Sequence, residues 1–405
     1  MSMKPMVRSN ICLNSHPQGC YRAVLDQIEY TKAQKAKTAK INGKHRPIKN
    51  VLVLGCSTGY GLASRITAAF AYDADTIGVS FEKAGTETKF GTPGFYNNMA
   101  FDKEAAKAGL FSSTINGDAY SDEIKAEVIS RANERGIKFD LVIYSLASPV
   151  RTDPVTKVMY KSVIKPIGAD FSGKTFDTIT GEMKEITAPA ATEDEIAQTI
   201  KVMGGEDWNR WIDQLSNAGV LANGCTTVAY SYIGPEVSQA IYRRGTIGMA
   251  KADLEKTAGV IREKLSKLGG NAFVSVNKGL VTRASAVIPI IPLYLSVLFK
   301  VMKQKGTHEG CIEQINRLFA ERLYIKNEDG TAAIPVDDEG RIRIDDLEMA
   351  SDVQAEVDKI MPQVTAENIN ELGDLDGYKH DFLAANGFDI PGVDYEKEVE
   401  RFDTI

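Results

Sequence analysis

Two side chains near the middle of the chain have types and a spacing suited to proton chemistry. Tyr242 and Lys251 end the run Tyr-Arg-Arg-Gly-Thr-Ile-Gly-Met-Ala-Lys, with eight residues between them. A phenol titrates near pH ~10 in water, so it donates a proton efficiently at neutrality only when a neighbouring cation and a hydrogen-bond network lower that value. A lysine held close by supplies such a field. Each residue turns a helix by ~100°, so residues nine positions apart on one helix point to opposite sides. The pair converges only if Tyr242 precedes the helix that carries Lys251, and Gly245 and Gly248 permit that break.

A second segment, Val51-Leu-Val-Leu-Gly55-Cys56-Ser57-Thr58-Gly59-Tyr60-Gly61, runs from four apolar residues through three glycines into a helical pattern. That is where a strand turns sharply and lets backbone amides approach a pyrophosphate. No Lys-Ser/Thr follows the last glycine, which excludes the phosphate loop of an ATPase. About twenty residues further on, the next apolar run ends at Phe81-Glu82, where a carboxylate can accept from the ribose hydroxyls of a dinucleotide and repel a 2′-phosphate. The expected cofactor is therefore NADH rather than NADPH.

These residues need strands and helices to position them. Short apolar runs at Val51–Gly55, Thr76–Phe81, Ser112–Ile115, Leu141–Ser145, Thr226–Ser231 and Phe273–Asn277 read as strands. Helical patterns at Leu62–Tyr72, Asp102–Ala108, Asp122–Arg135 and Ile247–Leu268 lie between them. Such alternation predicts a doubly wound parallel sheet of the Rossmann type, enlarged within a single domain over 1–405. Residues 1–47 form a segment packed on the core, 48–150 the first cofactor-binding half, 151–220 an excursion, 221–305 the catalytic half and 306–405 a helical extension. The Thr-, Gly- and Pro-rich beginning of the excursion, to about Ala190, is expected to form a β-hairpin that covers a substrate. In the extension, Cys311–Glu321 and Asp352–Met361 read as helices and Arg341–Ile344 as a short strand.

Composition narrows the class. The 405 residues carry 48 basic and 54 acidic side chains, a net charge of −6, which argues against a general polyanion binder such as a nucleic-acid protein. Cys12, Cys20, Cys56, Cys225 and Cys311 are odd in number and widely spread, so neither a disulfide framework nor a zinc knuckle is indicated, and a cytoplasmic location fits. His16, His45, His308 and His380 show no metal-ligand spacing. The apolar stretch Ala286–Phe299 is too short to span a membrane and contains Pro289 and Pro292; it is expected to enter a buried helix and to wall an acyl-chain pocket, with Ser296 facing that pocket. The acidic runs Asp337-Asp-Glu and Asp345-Asp read as solvated surface.

The chain resembles the trans-2-enoyl-CoA reductase family, which includes the FabV-type enoyl-[acyl-carrier-protein] reductases, almost end to end. The segments that carry the resemblance are Lys4-Pro-Met-Val-Arg-Ser-Asn-Ile-Cys, His16-Pro-Gln-Gly-Cys20, Gly55-Cys-Ser-Thr-Gly-Tyr-Gly-Leu-Ala, Lys201-Val-Met-Gly-Gly-Glu-Asp-Trp, Tyr230-Ser-Tyr-Ile-Gly-Pro and Ser275-Val-Asn-Lys-Gly-Leu-Val-Thr. Ordinary short-chain dehydrogenases place lysine four residues after the tyrosine and the commoner enoyl reductases seven after. Neither spacing occurs after Tyr230, Tyr232 or Tyr242, whereas the longer Tyr242–Lys251 spacing is the one this family uses. The resemblance implies a short-chain-dehydrogenase type of Rossmann fold and NADH-dependent reduction of the double bond of an enoyl thioester. It implies that Phe81 and Glu82 contact ribose and adenine, that Asp118 and Ala119 hold the adenine, and that Leu146 and Ala147 line the path to the nicotinamide. It makes Leu280, Val281 and Thr282 the loop that orients the nicotinamide carboxamide, and Tyr232 a substrate contact. Lys278 either assists the site or caps the sixth strand.

The expected reaction adds hydride to the β-carbon and moves charge onto the thioester oxygen, where Tyr242 donates, while Lys251 binds the nicotinamide ribose. The rival readings are a carbonyl reductase of the same superfamily, for which the four-residue spacing is missing, and a non-catalytic dinucleotide sensor, which would have no need of the pair. The expected partner is an enoyl thioester of coenzyme A or acyl carrier protein, and the chain is expected to act as a monomer.

Overall fold

Aliphatic runs with no polar face pair in parallel and are covered from both sides, because only layers on each face can bury them. The computed structural model describes residues 3–8, 10–41, 48–282, 285, 288, 290–324 and 334–399. A small ladder of β1 (Val7–Arg8) and β2 (Ile11–Cys12) precedes helix α1 (Pro17–Ile41). Strands and helices then alternate as β3 (Asn50–Leu54), α2 (Gly59–Tyr72), β4 (Asp75–Ser80), α3 (Pro93–Lys107), β5 (Ser112–Asn116), α4 (Asp122–Arg135) and β6 (Phe139–Tyr144). Two antiparallel hairpins follow, β7 (Val150–Thr152) with β8 (Met159–Lys161) and β9 (Phe171–Phe176) with β10 (Met183–Ala188), before helices α5 (Glu193–Met203) and α6 (Glu206–Asn217). Next come β11 (Leu221–Ser231), the short α7 (Glu236–Gln239), α8 (Thr246–Ser266), β12 (Asn271–Val276), α9 (Ile291–Lys305) and α10 (Cys311–Leu318). The C-terminal part adds β13 (Ile342–Arg343), α11 (Ser351–Ile360), α12 (Ile369–Leu372) and α13 (Leu375–Ala384).

Among the described residues one sheet has the order β13-β12-β11-β6-β3-β4-β5, with every neighbouring pair parallel. The chain winds one way from β3 to β5 and the other way from β6 to β13, so the order reverses between β3 and β6. A ligand crevice opens outside the carboxyl ends of the strands at such a switch point. Alternate residues of β3 go to opposite layers, as the strand period of two requires. Val51 and Val53 join a core with Val24 and Ile28 of α1 and Phe101 of α3. Leu52 and Leu54 join another with Val128 of α4, Trp208 and Trp211 of α6 and Leu254 of α8. The doubly wound Rossmann-type sheet expected from the sequence is the sheet found.

Several details differ. The N-terminal segment is dominated by the 25-residue α1. Helix α3 starts at Pro93, whose fixed φ suits a first helical turn, and not at Asp102. Residues 151–220 hold two hairpin units and two helices where one hairpin was expected. Of the run Ala286–Phe299, the entry into α9 is confirmed with Pro292 in the first turn, while Ala286 and Pro289 lie outside the described residues, as does His45. No helix of the described residues is long and apolar enough to cross a membrane.

One buried ion pair ties the layers together next to the β5 turn. Lys125 of α4 donates to the carbonyls of Ala119 (2.8 Å) and Tyr120 (3.0 Å) and to Asp207 Oδ1 of α6 (2.9 Å). Asp207 also accepts from the Tyr144 hydroxyl at 3.1 Å, and Trp211 Nε1 donates to the Ala119 carbonyl at 3.0 Å. Removing one member of a buried pair leaves the other charge uncompensated, so Lys125→Met should destabilise the protein by about 3–5 kcal/mol. Urea unfolding followed by circular dichroism measures this, and a loss below about 1 kcal/mol would show that the pair does not anchor the turn.

Candidate active site

The glycine turn lies at the switch point. Gly55 has φ 86°, and a Cβ there would lie 2.2 Å from the carbonyl oxygen of Ser145 at the end of β6, so only glycine lets the two strand ends approach. The amides of Gly55 and Cys56 are taken by the Val79 carbonyl (2.9 and 3.1 Å), and the Cys56 thiol turns into the core toward Arg65 and Asn98. Cys56 therefore brings neither thiol nor amide to a ligand. Thr58 caps α2 without a side-chain bond, and the first amides of the helix, from Gly59 through Gly61, have no acceptor within it. They form an anion-binding end of the kind a pyrophosphate needs.

The other cofactor candidates gather around this turn to different degrees. The Leu146 side chain lies against Gly55 and the Thr282 methyl against Gly59. Ser57 Oγ donates to Glu82 Oε1 at 2.7 Å, and a Cβ on Gly94 would lie 2.1 Å from that oxygen, so Gly94 makes room for the carboxylate. Asn116 fixes the Glu82 backbone on both sides, accepting from its amide at 2.7 Å and donating to its carbonyl at 2.8 Å. Phe81 is 79% exposed, an unusual state for its ring and one that leaves a face for a flat ligand. Asp118 and Ala119 lie one strand further out, on the turn that Lys125 holds, with Asp118 Oδ1 accepting from the Tyr120 amide at 2.9 Å. Ala147 is exposed beyond the end of β6. Tyr60 bridges the turn to β12 by donating to the Lys278 carbonyl at 2.7 Å. The chain thus presents a glycine cradle, a helix end with free amides and a carboxylate at the end of the next strand, which together fit a dinucleotide.

Tyr242 precedes α8 and Lys251 lies on it, the arrangement the spacing demanded. The Tyr242 carbonyl accepts from the Gly245 and Gly248 amides (3.1 and 3.0 Å), which closes the turn between the two side chains. Lys251 Nζ donates to the Tyr230 carbonyl at the end of β11 (2.9 Å), and burial brings its ammonium down to about 8, against the opposing charge of Glu255. Burial also pushes the Tyr242 phenol above its ordinary value. The Tyr–Lys spacing predicts a lowered phenol, but desolvation acts on Tyr242 without an offsetting cation. The ring of Tyr232 meets that of Tyr242 edge to face, with centroids 5.0 Å apart. Leu280 packs in the same apolar cluster as Tyr242 and Leu295, with Tyr232 and Val281 at its margin.

Lys278 is buried in the site's wall. Its ammonium lies over the Phe299 ring (4.6 Å to the centroid) and reaches the carbonyls of Gly279 (3.3 Å) and Glu309 (3.4 Å), while burial lowers it to about 8. The unpartnered side chain of Ser296 does not face a pocket shared with Tyr242. Its oxygen would lie 2.3 Å from a Cβ on Gly373, and its carbonyl accepts from Asp374, so it packs under the C-terminal helices. Leu295 faces the other way, toward Gly279. The acidic runs are not all solvated either, since Asp345 is buried against Arg343 (2.7 Å) and Asp337 pairs with Arg341 (2.9 Å). Glu348, two residues beyond the second run, carries no signal in the sequence that marks it, and it is fully buried.

Sheet order and the glycine turn at the switch point define a doubly wound protein of the Rossmann type. Three family models match nearly the whole chain: the NAD(P)H binding domain of trans-2-enoyl-CoA reductase over residues 2–87, the trans-2-enoyl-CoA reductase catalytic region over 89–324 and the enoyl reductase FAD binding domain over 336–399. The chain belongs to the trans-2-enoyl-CoA reductase family. It is 66% identical over 405 residues, covering 100% of both chains, to a trans-2-enoyl-CoA reductase [NADH] of Treponema denticola. It is 54% identical to an enoyl-[acyl-carrier-protein] reductase [NADH] of Cytophaga hutchinsonii, covering 100% of this chain and 99% of the relative. The crystal structure of the Treponema denticola enzyme in complex with NAD superposes with a TM-score of 0.96 over 100% of both chains. That of a Clostridium acetobutylicum trans-2-enoyl-CoA reductase in complex with NADH, 46% identical, gives 0.93 over 99% of this chain and 98% of that one.

The third model's description mentions a flavin, which the residues do not fit. No glycine lies between β13 and α11, and the helices that follow are filled by Val353, Val357, Ile369, Tyr378 and Phe382, so the segment lacks a cradle for a second dinucleotide.

Because Ser296 faces Gly373, Ser296→Phe should overpack that contact and cost about 1–3 kcal/mol of stability, with chain-length preference unchanged. Thermal melts alongside rates on short and long enoyl thioesters check this. A stable variant with shortened chain preference would put Ser296 back in the acyl pocket.

Proposed function

We infer that the protein is an NADH-dependent reductase of the trans-2 double bond of enoyl thioesters, carried on coenzyme A or acyl carrier protein. The observation that carries the reading is the end-to-end likeness to reductases named for that reaction. Bound NADH supplies the hydride that reduces the β-carbon of the unsaturated thioester. The glycine turn with Ser57, Thr58 and Tyr60, together with Phe81, Glu82, Asp118, Ala119, Leu146, Ala147, Lys251 and Leu280–Thr282, holds that cofactor. Cys56 contributes through its backbone position in the turn.

The protein's own part in the chemistry is electrostatic and protonic. As charge moves onto the thioester oxygen, a donor aimed at it in a water-poor pocket strengthens its bond at that moment, which lowers the barrier. Tyr242 is that donor. Its burial, and the raised phenol that follows, keep the proton on the oxygen until a stronger base forms. Lys251, charged below about 8, binds the ribose. Tyr232 is the second aromatic contact of the thioester. We also propose that the chain works in the cytoplasm as a single enlarged domain and a monomer, a reading supported by the packing of α10 on α1 and α2 and of α11 and α13 on α9.

Tyr242→Phe should lower turnover of crotonyl-CoA by roughly 10² or more while NADH still binds, as expected on losing one oxyanion donor. Lys251→Met should impair both NADH affinity and turnover, because one ammonium serves both. Steady-state rates with NADH titrations separate these effects, and near-parental turnover in Tyr242→Phe would remove it from the donor role.

The Glu82 carboxylate should exclude a 2′-phosphate by charge repulsion, so the parent should use NADH far better than NADPH and Glu82→Ala should narrow the gap. Equal use of both cofactors by the parent would contradict the assignment.

A further inference from the structure

Glu348 brings a carboxylate from the C-terminal segment into the middle of the site. Its Oε1 accepts from the hydroxyls of Tyr294 on α9 (2.7 Å) and Tyr232 just beyond β11 (3.0 Å). Its Oε2 accepts from the amide of Gly279, in the loop after β12 and just before Leu280 (2.7 Å). The side chain is fully buried, and a buried carboxylate is tolerated only when its oxygens are satisfied by well-placed donors. Here three donors come from three elements. Gln354 steadies the arrangement by donating to the Glu348 carbonyl (2.6 Å) and to the Tyr294 hydroxyl (3.2 Å).

The bond to Tyr232 has a chemical consequence. A phenol carries one proton, and that of Tyr232 goes to Glu348. Tyr242, edge to face with it, shows no hydroxyl partner among the described residues. Two adjacent tyrosines are thus made unequal, one bound to a carboxylate and one with its proton available. We propose that Glu348 is a positioning residue for the reaction: one carboxylate ties the substrate tyrosine Tyr232 to the residue that precedes the cofactor loop Leu280–Thr282 and leaves Tyr242 as the phenol that donates. This rests on the assignment of Tyr232 and Leu280–Thr282 to the substrate and cofactor given above.

A carboxylate is required for this because both its ends accept. In Glu348→Gln the amide presents donors at one end: facing Gly279 they meet another donor, and facing the two phenols they turn those hydroxyls into acceptors, so the Tyr232 proton is no longer held there. The test compares the full-length parent with Tyr232→Phe, Glu348→Gln and the double variant, reading kcat and KM for crotonyl-CoA, NADH affinity by fluorescence, and thermal melts. Glu348→Gln should fold, lose about tenfold or more in kcat and bind NADH more weakly, because small displacements of positioned groups are costly to rate. Tyr232→Phe should lower kcat with NADH affinity unchanged. The double variant should be little worse than Glu348→Gln alone, because the two groups act as a unit.

Parental kcat and NADH affinity in folded Glu348→Gln would overturn the proposal. So would a double variant that loses the product of the two single losses, which is the behaviour of independent or purely structural groups. If Tyr232→Phe by itself is silent, both the substrate role of Tyr232 and the proposal fall. If Tyr232→Phe is slow but Glu348→Gln is not, only the proposal falls. Glu348→Asp keeps the charge and withdraws the carboxylate by one methylene, so it serves if the glutamine variant does not fold. It should likewise slow turnover, and parental turnover in it overturns the proposal.

Discussion

The structure depends on a close approach between two strand ends. At the switch point between β3 and β6 the chain turns at Gly55, where a Cβ would lie 2.2 Å from the Ser145 carbonyl. Because β3 and β6 are adjacent and parallel, their carboxyl ends emerge side by side, and α2 leaves toward one layer while the segment after β6 departs the other way. The first amides of α2 are left facing the crevice between them. Glu82, Thr282 and Leu146 are useful only because they are brought to this crevice. A bulkier residue at position 55 would force apart the two strands from which the crevice is built.

A second constraint comes from burying charge at the far side of the crevice. Lys278 and Glu348 are buried ionisable groups near Leu280, Leu295, Phe299 and aromatic rings, and Lys251 lies half-buried against the end of β11. Such burial is unfavourable in itself, which is why both ammoniums are lowered to about 8 and the Glu348 carboxyl is raised. Each group is compensated by specific partners: a strand-end carbonyl for Lys251, two carbonyls and a ring face for Lys278, and three donors for Glu348. The arrangement gives a reaction that creates negative charge on an oxygen a poorly screened surrounding of fixed dipoles and cations, where each interaction is stronger than in water.

The sheet was legible because parallel strands buried on both faces are written as continuous aliphatic runs. All six of its long strands were read to within a few residues apart from the early start of β11. Helix α4 was read to its ends because its signals are local: Ser121 accepts from the Ile124 amide and Gly136 closes the helix at φ 64°. The break between Tyr242 and the helix that carries Lys251 was also legible, since Gly245 and Gly248 mark it and α8 starts at Thr246. What was not legible depends on tertiary context. Glu348 follows two acidic runs, and nothing in the spacing distinguishes a carboxylate bound for three buried donors from its solvated neighbours. Asp345 was misread for the same reason. Ser296 and Leu295 are adjacent on α9, and which of them faces the site is settled by how α9 rotates against the C-terminal helices, long-range packing that helical periodicity does not encode. The second hairpin of the excursion, β9–β10, lies in a Thr- and Lys-rich stretch without alternation strong enough to mark it.

The account turns on where hydride and proton go. Crotonyl-CoA reduced in ordinary water with NADH fully deuterated at C4 of the nicotinamide, and the product examined by NMR, tests this directly. The account predicts one deuterium at the β-carbon of the butyryl chain and a solvent-derived proton at the α-carbon. Deuterium at the α-carbon, or a product without deuterium, would contradict it.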